Sequence, residues 1–114
     1  MIEAFHKDIG VRTACNKDCR AIQDLVYGVL AEFDLSFDPN GTDRDIADLE
    51  SYYFDRGGVF EVLVENDGRI VGTIGLYPLD VETIELRKMY FASAIRGLGL
   101  GRKLLKRTIE KLKI

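Results

Sequence analysis

A chain of 114 residues with 46% hydrophobic and 31% charged residues suits one domain whose modest core needs neither disulfides nor a structural metal. No apolar run approaches the ~20 residues that span a bilayer. The opening Met1-Ile2-Glu3-Ala4-Phe5-His6 lacks the basic-then-apolar pattern of a signal peptide, so a cytoplasmic protein without a membrane partner is expected. The net charge of −3 hides a split: residues 1–85 hold 7 Lys/Arg against 18 Asp/Glu (−11), and residues 86–114 hold 9 against 1 (+8), which favours a ligand carrying several negative charges near the C-terminal segment.

Residues 9–14 read as a short strand. Asn16 is then a plausible N-cap for a helix with Cys19, Ile22, Leu25, Val26, Val29, Leu30 and Phe33 on one face. Cys15 and Cys19 have no second cysteine pair and only His6 as a further ligand, so no metal site is expected. Cys19 serves as a small core hydrophobe, and His6 is a solvated residue near a loose terminus. Residues 34–41 are dense in turn formers, with Phe37 expected in the core rather than lining a channel. Thr42-x-x-Asp45 resembles a capping box opening a second helix through Ile46, Leu49, Tyr52 and Tyr53.

Residues 59–65 and 69–76 are β-rich and joined by Asn66-Asp67-Gly68, a hairpin signal. Tyr77-Pro78-Leu79-Asp80 marks a further turn before a strand over residues 83–91, so the three strands form an antiparallel meander. A last helix follows Gly101. It turns Leu104, Leu105, Thr108, Ile109 and Leu112 inward and Arg102, Lys103, Lys106, Arg107, Lys111 and Lys113 outward. The order describes an α+β layered domain.

The most informative stretch is Arg96-Gly97-Leu98-Gly99-Leu100-Gly101, between that strand and the basic helix. Alternate glycines let a backbone approach a ligand and aim its N–H groups at one point, and the following helix adds its positive dipole end. Such a turn can also be only a tight connection. A P-loop needs Gly-x-x-x-x-Gly-Lys-Ser/Thr, whereas here the last glycine precedes Arg102-Lys103-Leu104. A dinucleotide-binding fingerprint needs Gly-x-Gly-x-x-Gly in an early βαβ unit, which is also absent.

The pattern Arg/Gln-x-x-Gly-x-Gly/Ala after a strand and before a helix does fit. With Glu85-Leu86-Arg87-Lys88-Met89-Tyr90-Phe91 upstream and Leu104-Leu105 downstream, the whole chain closely resembles the GNAT superfamily of N-acetyltransferases. The resemblance implies a single GNAT-like domain over residues 1–114, a central and mostly antiparallel sheet flanked by helices, and acetyl-CoA as cosubstrate. It assigns the pyrophosphate to Arg96, Gly97, Leu98, Gly99, Leu100, Gly101 and Arg102. The pantetheine arm falls to Met89, Tyr90 and Phe91 on the family's fourth strand. It also offers Glu85 as the base that takes a proton from the acceptor amine, which is mostly protonated at neutral pH; the other reading of Glu85 is a surface carboxylate paired with Arg87 or Lys88.

Members of the family continue past this helix with a further strand, helix and hairpin that supply a general-acid tyrosine, so the C-terminal part of the fold is expected to be missing. The strand over residues 83–91 is then open on one side, and a homo-oligomer completing the sheet is a possible partner arrangement. The expected function is transfer of an acetyl group to a primary amine, on a small molecule or peptide, by direct attack and without an acetyl-enzyme. A non-catalytic acyl-CoA-binding or oligomer-forming remnant is the alternative. A nucleic-acid module is disfavoured by the acidic first 85 residues. Acidic residues between 34 and 48 point to a cationic acceptor.

Overall fold

The computed structural model describes residues 1–112. Five strands, β1 (Glu3–His6), β2 (Ile9–Thr13), β3 (Val59–Glu65), β4 (Ile70–Pro78) and β5 (Ile84–Phe91), lie in that order in one sheet, each antiparallel to its neighbours. Between β2 and β3 come α1 (Cys19–Glu32) and the short α2 (Leu49–Tyr52); α3 (Leu100–Leu112) follows β5. The layered α+β architecture and the meander through β3, β4 and β5 are as the sequence predicts.

β3 is central, and its near-continuous apolar run is what burial on two faces requires. Phe60, Val62 and Val64 pack with Cys19, Ile22 and Val26 of α1 and with Ile46, Leu49 and Tyr53. Leu63 points the other way, into a second cluster with Val11, Val71, Ile74, Leu100 and Leu104 under α3. Phe37 packs against the first cluster, whereas Phe33 lies past the end of α1 and is exposed.

Several local expectations are corrected. β1 carries no periodic signal, because only Phe5 of its four residues is buried; a two-residue turn through Lys7 and Asp8 (φ 60°) joins it to β2, so His6 sits on an edge strand. Asn16 does not cap α1. Instead a 3-10 turn over Asn16–Asp18 leads in, with Asp18 accepting from the Cys15 N–H at 2.9 Å, while Asn16 Oδ1 accepts from the Glu50 N–H at 3.2 Å and ties α1 to α2. Thr42 and Asp45 form no capping box: the second helix is a 3-10 turn over Arg44–Ala47, then α2 capped by Asp48, which accepts from the Ser51 N–H at 3.1 Å. Tyr77 and Pro78 belong to β4, and the turn follows them.

On α3, the helix already includes Leu100 and Gly101, and two of its expected outward cations turn inward. Arg107 Nη1 lies 2.6 Å from Oε1 of Glu61 and Lys111 Nζ 3.1 Å from Oε2, while Thr108 donates to Glu61 at 3.0 Å. Glu61, on β3, is fully buried, so the pairs clamp α3 to the middle of the sheet. Lys113 lies outside the described residues.

Candidate active site

After β5 a 3-10 turn over Ser93–Ile95 reverses the chain, and residues 96–99 lead into α3. Gly97 and Gly99 adopt φ of 79° and 74°, the left-handed region that costs other residues about 1–2 kcal/mol. A Cβ at either would meet nothing within 4 Å, so their other face is open to an approaching group. Among the described residues, no acceptor in the chain takes the N–H groups of Gly97, Leu98 or Gly99. The first turn of α3 adds further unpaired N–H groups and the positive end of the helix dipole. An anionic group therefore fits here.

The side chains around this cradle hold it in place more than they charge it. Arg96 donates from Nε to the Phe91 carbonyl at 2.8 Å and grips both oxygens of Glu32, at the end of α1, at 3.0 and 2.9 Å, an interaction that holds the Glu32 carboxyl below its usual range. Only the backbone of Arg96 faces the cradle's task. Leu98 is exposed and Leu100 buried in the core. A Cβ on Gly101 would touch Met89 and Phe91 at 3.4 and 3.5 Å, so glycine there lets α3 seat closely on β5. Lys103 turns away to the Phe5 carbonyl. Arg102 stays exposed at the first turn of α3. Five cations of residues 86–114 are thus answered by carboxylates: Glu32 meets Arg96, Glu85 meets Arg87, Asp43 and Asp45 share Lys88, and Glu61 meets both Arg107 and Lys111.

β5 is an outer strand of the sheet, so the backbone of Met89, Tyr90 and Phe91 pairs with β4 on one side and with no strand on the other among the described residues. Its pairing slips between Thr73 and Gly75, which oppose Tyr90 and Arg87, leaving one extra residue in β5. Lys88 takes the strain with φ 51°, and its carbonyl accepts from Thr73 Oγ1 at 2.7 Å. Strict alternation would turn Lys88 to the α3 side. The bulge returns it to the side of Glu85 and Arg87, where Nζ reaches Asp43 at 3.3 Å, Asp45 at 3.0 Å and the Thr42 carbonyl at 2.9 Å. Asp45 also accepts from the Tyr53 hydroxyl at 2.5 Å; burial first, then that carboxylate, push the Tyr53 phenol far above its ordinary range.

Beside this cluster is a cavity of about 390 Å³ between the loop around Thr42, Tyr52 of α2 and the first half of β5, and both Glu85 and Arg87 line it. Glu85 is ion-paired with Arg87, as its plainer reading expects, while its carboxylate still borders the cavity. Burial opposes the Arg87 charge, but the hydrogen bond and charge of Glu85 outweigh it and raise the guanidinium further. Glu85 and Phe91 are six residues apart on one strand, ~20 Å at strand rise, so β5 carries the cavity at one end and the cradle at the other. The roles of Lys88, Asp43 and Asp45 have no signal in the sequence, since the bulge and a loop 46 residues away bring them together. Three of the acidic residues of this loop already have partners: Asp43 and Asp45 meet Lys88, and Asp48 meets Asn16 and the α2 cap.

An open-edged, bulged strand thus leads into a left-handed glycine turn at a helix N-terminus, within a layered α+β domain. The Acetyltransferase (GNAT) family profile matches residues 26–113, and the chain belongs to that family. It is 37% identical over 100 residues to the uncharacterized N-acetyltransferase YjgM of Escherichia coli, covering 83% of this chain and 59% of YjgM. A GNAT-family acetyltransferase from Staphylococcus aureus Mu50 superposes with a TM-score of 0.83 at 28% identity, over 91% of this chain and 66% of the other. A GNAT superfamily phosphinothricin acetyltransferase from Sinorhizobium meliloti, solved in complex with acetyl-CoA, shares the fold at 18% identity and a TM-score of 0.68, over 92% of this chain and 60% of the other. The chain therefore spans about three-fifths to two-thirds of the length of these relatives.

Proposed function

We propose that this chain binds acetyl-CoA and transfers its acetyl group to a primary amine. The observation that carries the reading is the set of unpaired N–H groups of Gly97, Leu98 and Gly99 at the start of α3, beside the open edge of β5. These amides, with those of Leu100 and Gly101 and the exposed Arg102, are suited to the pyrophosphate. The free backbone edge of Met89, Tyr90 and Phe91 is suited to an amide-bearing arm laid alongside as an added strand. Bound acetyl-CoA would supply a thioester that a neutral amine attacks directly, the N–C bond forming as the C–S bond breaks, with the proton shed by the acylated nitrogen passing to the leaving thiolate. Glu85 takes the proton that otherwise keeps the amine as ammonium, directly or through a water in the cavity. Arg87 fixes the direction of that carboxylate, and a positioned base of this kind contributes ~10²–10⁴-fold.

Calorimetric titration of acetyl-CoA into the native chain and Gly99→Val tests the cradle. The native chain should bind, and the variant should lose binding while keeping its circular dichroism spectrum, because a branched side chain crowds the amides. Normal binding by Gly99→Val overturns the assignment. Binding with no thiol release across an amine panel favours the non-catalytic alternative.

A further inference from the structure

Next to the Glu85 cavity, and sharing Arg44, Tyr52 and Arg87 with it, is a second cavity of about 430 Å³ lined by Arg44, Ser51, Tyr52, Arg56, Tyr77 and Arg87. Its wall holds three guanidinium groups and no carboxylate. Arg44 and Arg56 have no carboxylate within ion-pair distance among the described residues, although acidic residues outnumber basic ones in this chain by 19 to 16. The case of Arg44 is the more telling. It stands between Asp43 and Asp45 in sequence, yet both of those carboxylates turn inward to Lys88, so Arg44 faces the cavity alone. Tyr77 arranges the other two: its hydroxyl accepts from Arg56 Nη1 at 3.3 Å, and the Arg87 guanidinium sits over its ring at 4.1 Å.

Two unanswered guanidinium groups, Arg44 and Arg56, share this hollow with Arg87, which Glu85 already pairs from one side, and their planar forks are matched by an oxyanion that accepts paired N–H bonds. We infer that the acceptor is an amine that also carries an oxyanion, a carboxylate or a phosphate, held by Arg44, Arg56 and Arg87 while its amine points toward Glu85. The inference rests on the acetyl-transfer reading for the amine. It reverses the cationic acceptor that the acidic loop suggests in sequence.

Two measurements separate this inference from that reading. In the first, glutarate and inorganic phosphate are titrated into the full chain without acetyl-CoA, following the arginine Nε–H resonances. At least one should bind, and Arg44→Gln and Arg56→Gln should each weaken it about tenfold, the loss of one charge-assisted hydrogen bond, with thermal midpoints unchanged because both side chains are exposed; whichever binds more tightly identifies the oxyanion. In the second, thiol release is compared for 4-aminobutyrate, O-phosphoethanolamine, ethanolamine and putrescine, and one of the first two should have a KM at least tenfold below the last two. Oxyanion binding that the arginine variants weaken, without any turnover, upholds the subsite and sinks acetyl transfer. Turnover in which putrescine or ethanolamine equals the anionic amines, or absence of oxyanion binding, overturns the subsite and leaves acetyl transfer standing.

Discussion

Replacing Lys88 with methionine removes the cation shared by two carboxylates that are 6% and 4% exposed, Asp43 and Asp45. With Nζ 3.3 and 3.0 Å from their oxygens, each attraction is about 5 kcal/mol gross at an effective dielectric of 20. The lysine's own desolvation offsets much of that, and removing one member of a buried charge cluster costs about 3–5 kcal/mol net, because the remaining charges are left unanswered. For a domain of this size that loss is a large share of the roughly 5–15 kcal/mol available and lowers the unfolding midpoint by about 12–20 °C. Urea unfolding followed by circular dichroism should show this with the m-value unchanged. Lys88→Met combined with Asp43→Asn and Asp45→Asn should recover most of the loss, since no unpaired charge stays buried. Lys88→Gly should be less destabilised than Lys88→Met by about 1 kcal/mol, as glycine relieves the positive φ at the bulge. A loss below about 1 kcal/mol for Lys88→Met, or a triple variant as weak as the single, refutes the account of this cluster.

Glu85→Gln should lower kcat by ~10²–10⁴-fold with acetyl-CoA affinity unchanged, and the gap should narrow at high pH, where the amine loses its proton unaided; equal kcat at neutral pH removes Glu85 as the base. Arg107→Met with Lys111→Met leaves the fully buried Glu61 without a cation and should cost about 3–5 kcal/mol in urea unfolding. Glu61→Gln should cost less, because the Arg107 and Lys111 side chains, at 21% and 36% exposure, can turn to water; the opposite order contradicts the clamp. Asp18 is held below the usual carboxylate range first by its hydrogen bond from Arg12 and also by the Cys15 N–H. A lowered folded-state pKa means that its contribution is present at neutral pH and fades as pH falls below about 4. The stability difference between the native chain and Asp18→Asn should therefore shrink toward pH 2, and a constant difference across that range would rule this out.

What could be read along the chain is what depends on neighbouring residues. The apolar stripe of α1, the Asn66-Asp67-Gly68 hairpin, the strand before the glycine turn and the turn itself follow from side-chain period and glycine geometry, and they place Gly97, Gly99 and Met89 to Phe91 together without a fold. The stripe on α3 was legible too, but not which of its cations would face inward. β1 escaped because one buried residue in four carries no period. The rest of the site depends on residues far apart in sequence: a one-residue bulge in β5 moves Lys88 to the opposite face, where it meets a loop 46 residues earlier, and Glu61 recruits Arg107 across the same separation. Those long-range pairings settle which charges are consumed inside the fold and which remain for a ligand. The sequence by itself therefore determined the family and the glycine turn at the start of α3, since both reside in contiguous backbone. Only the tertiary structure decided that Asp43 and Asp45 turn inward to Lys88 while Arg44, between them in sequence, lines a cavity with Arg56 and Arg87, because the sign of a cavity depends on how charges pair in space.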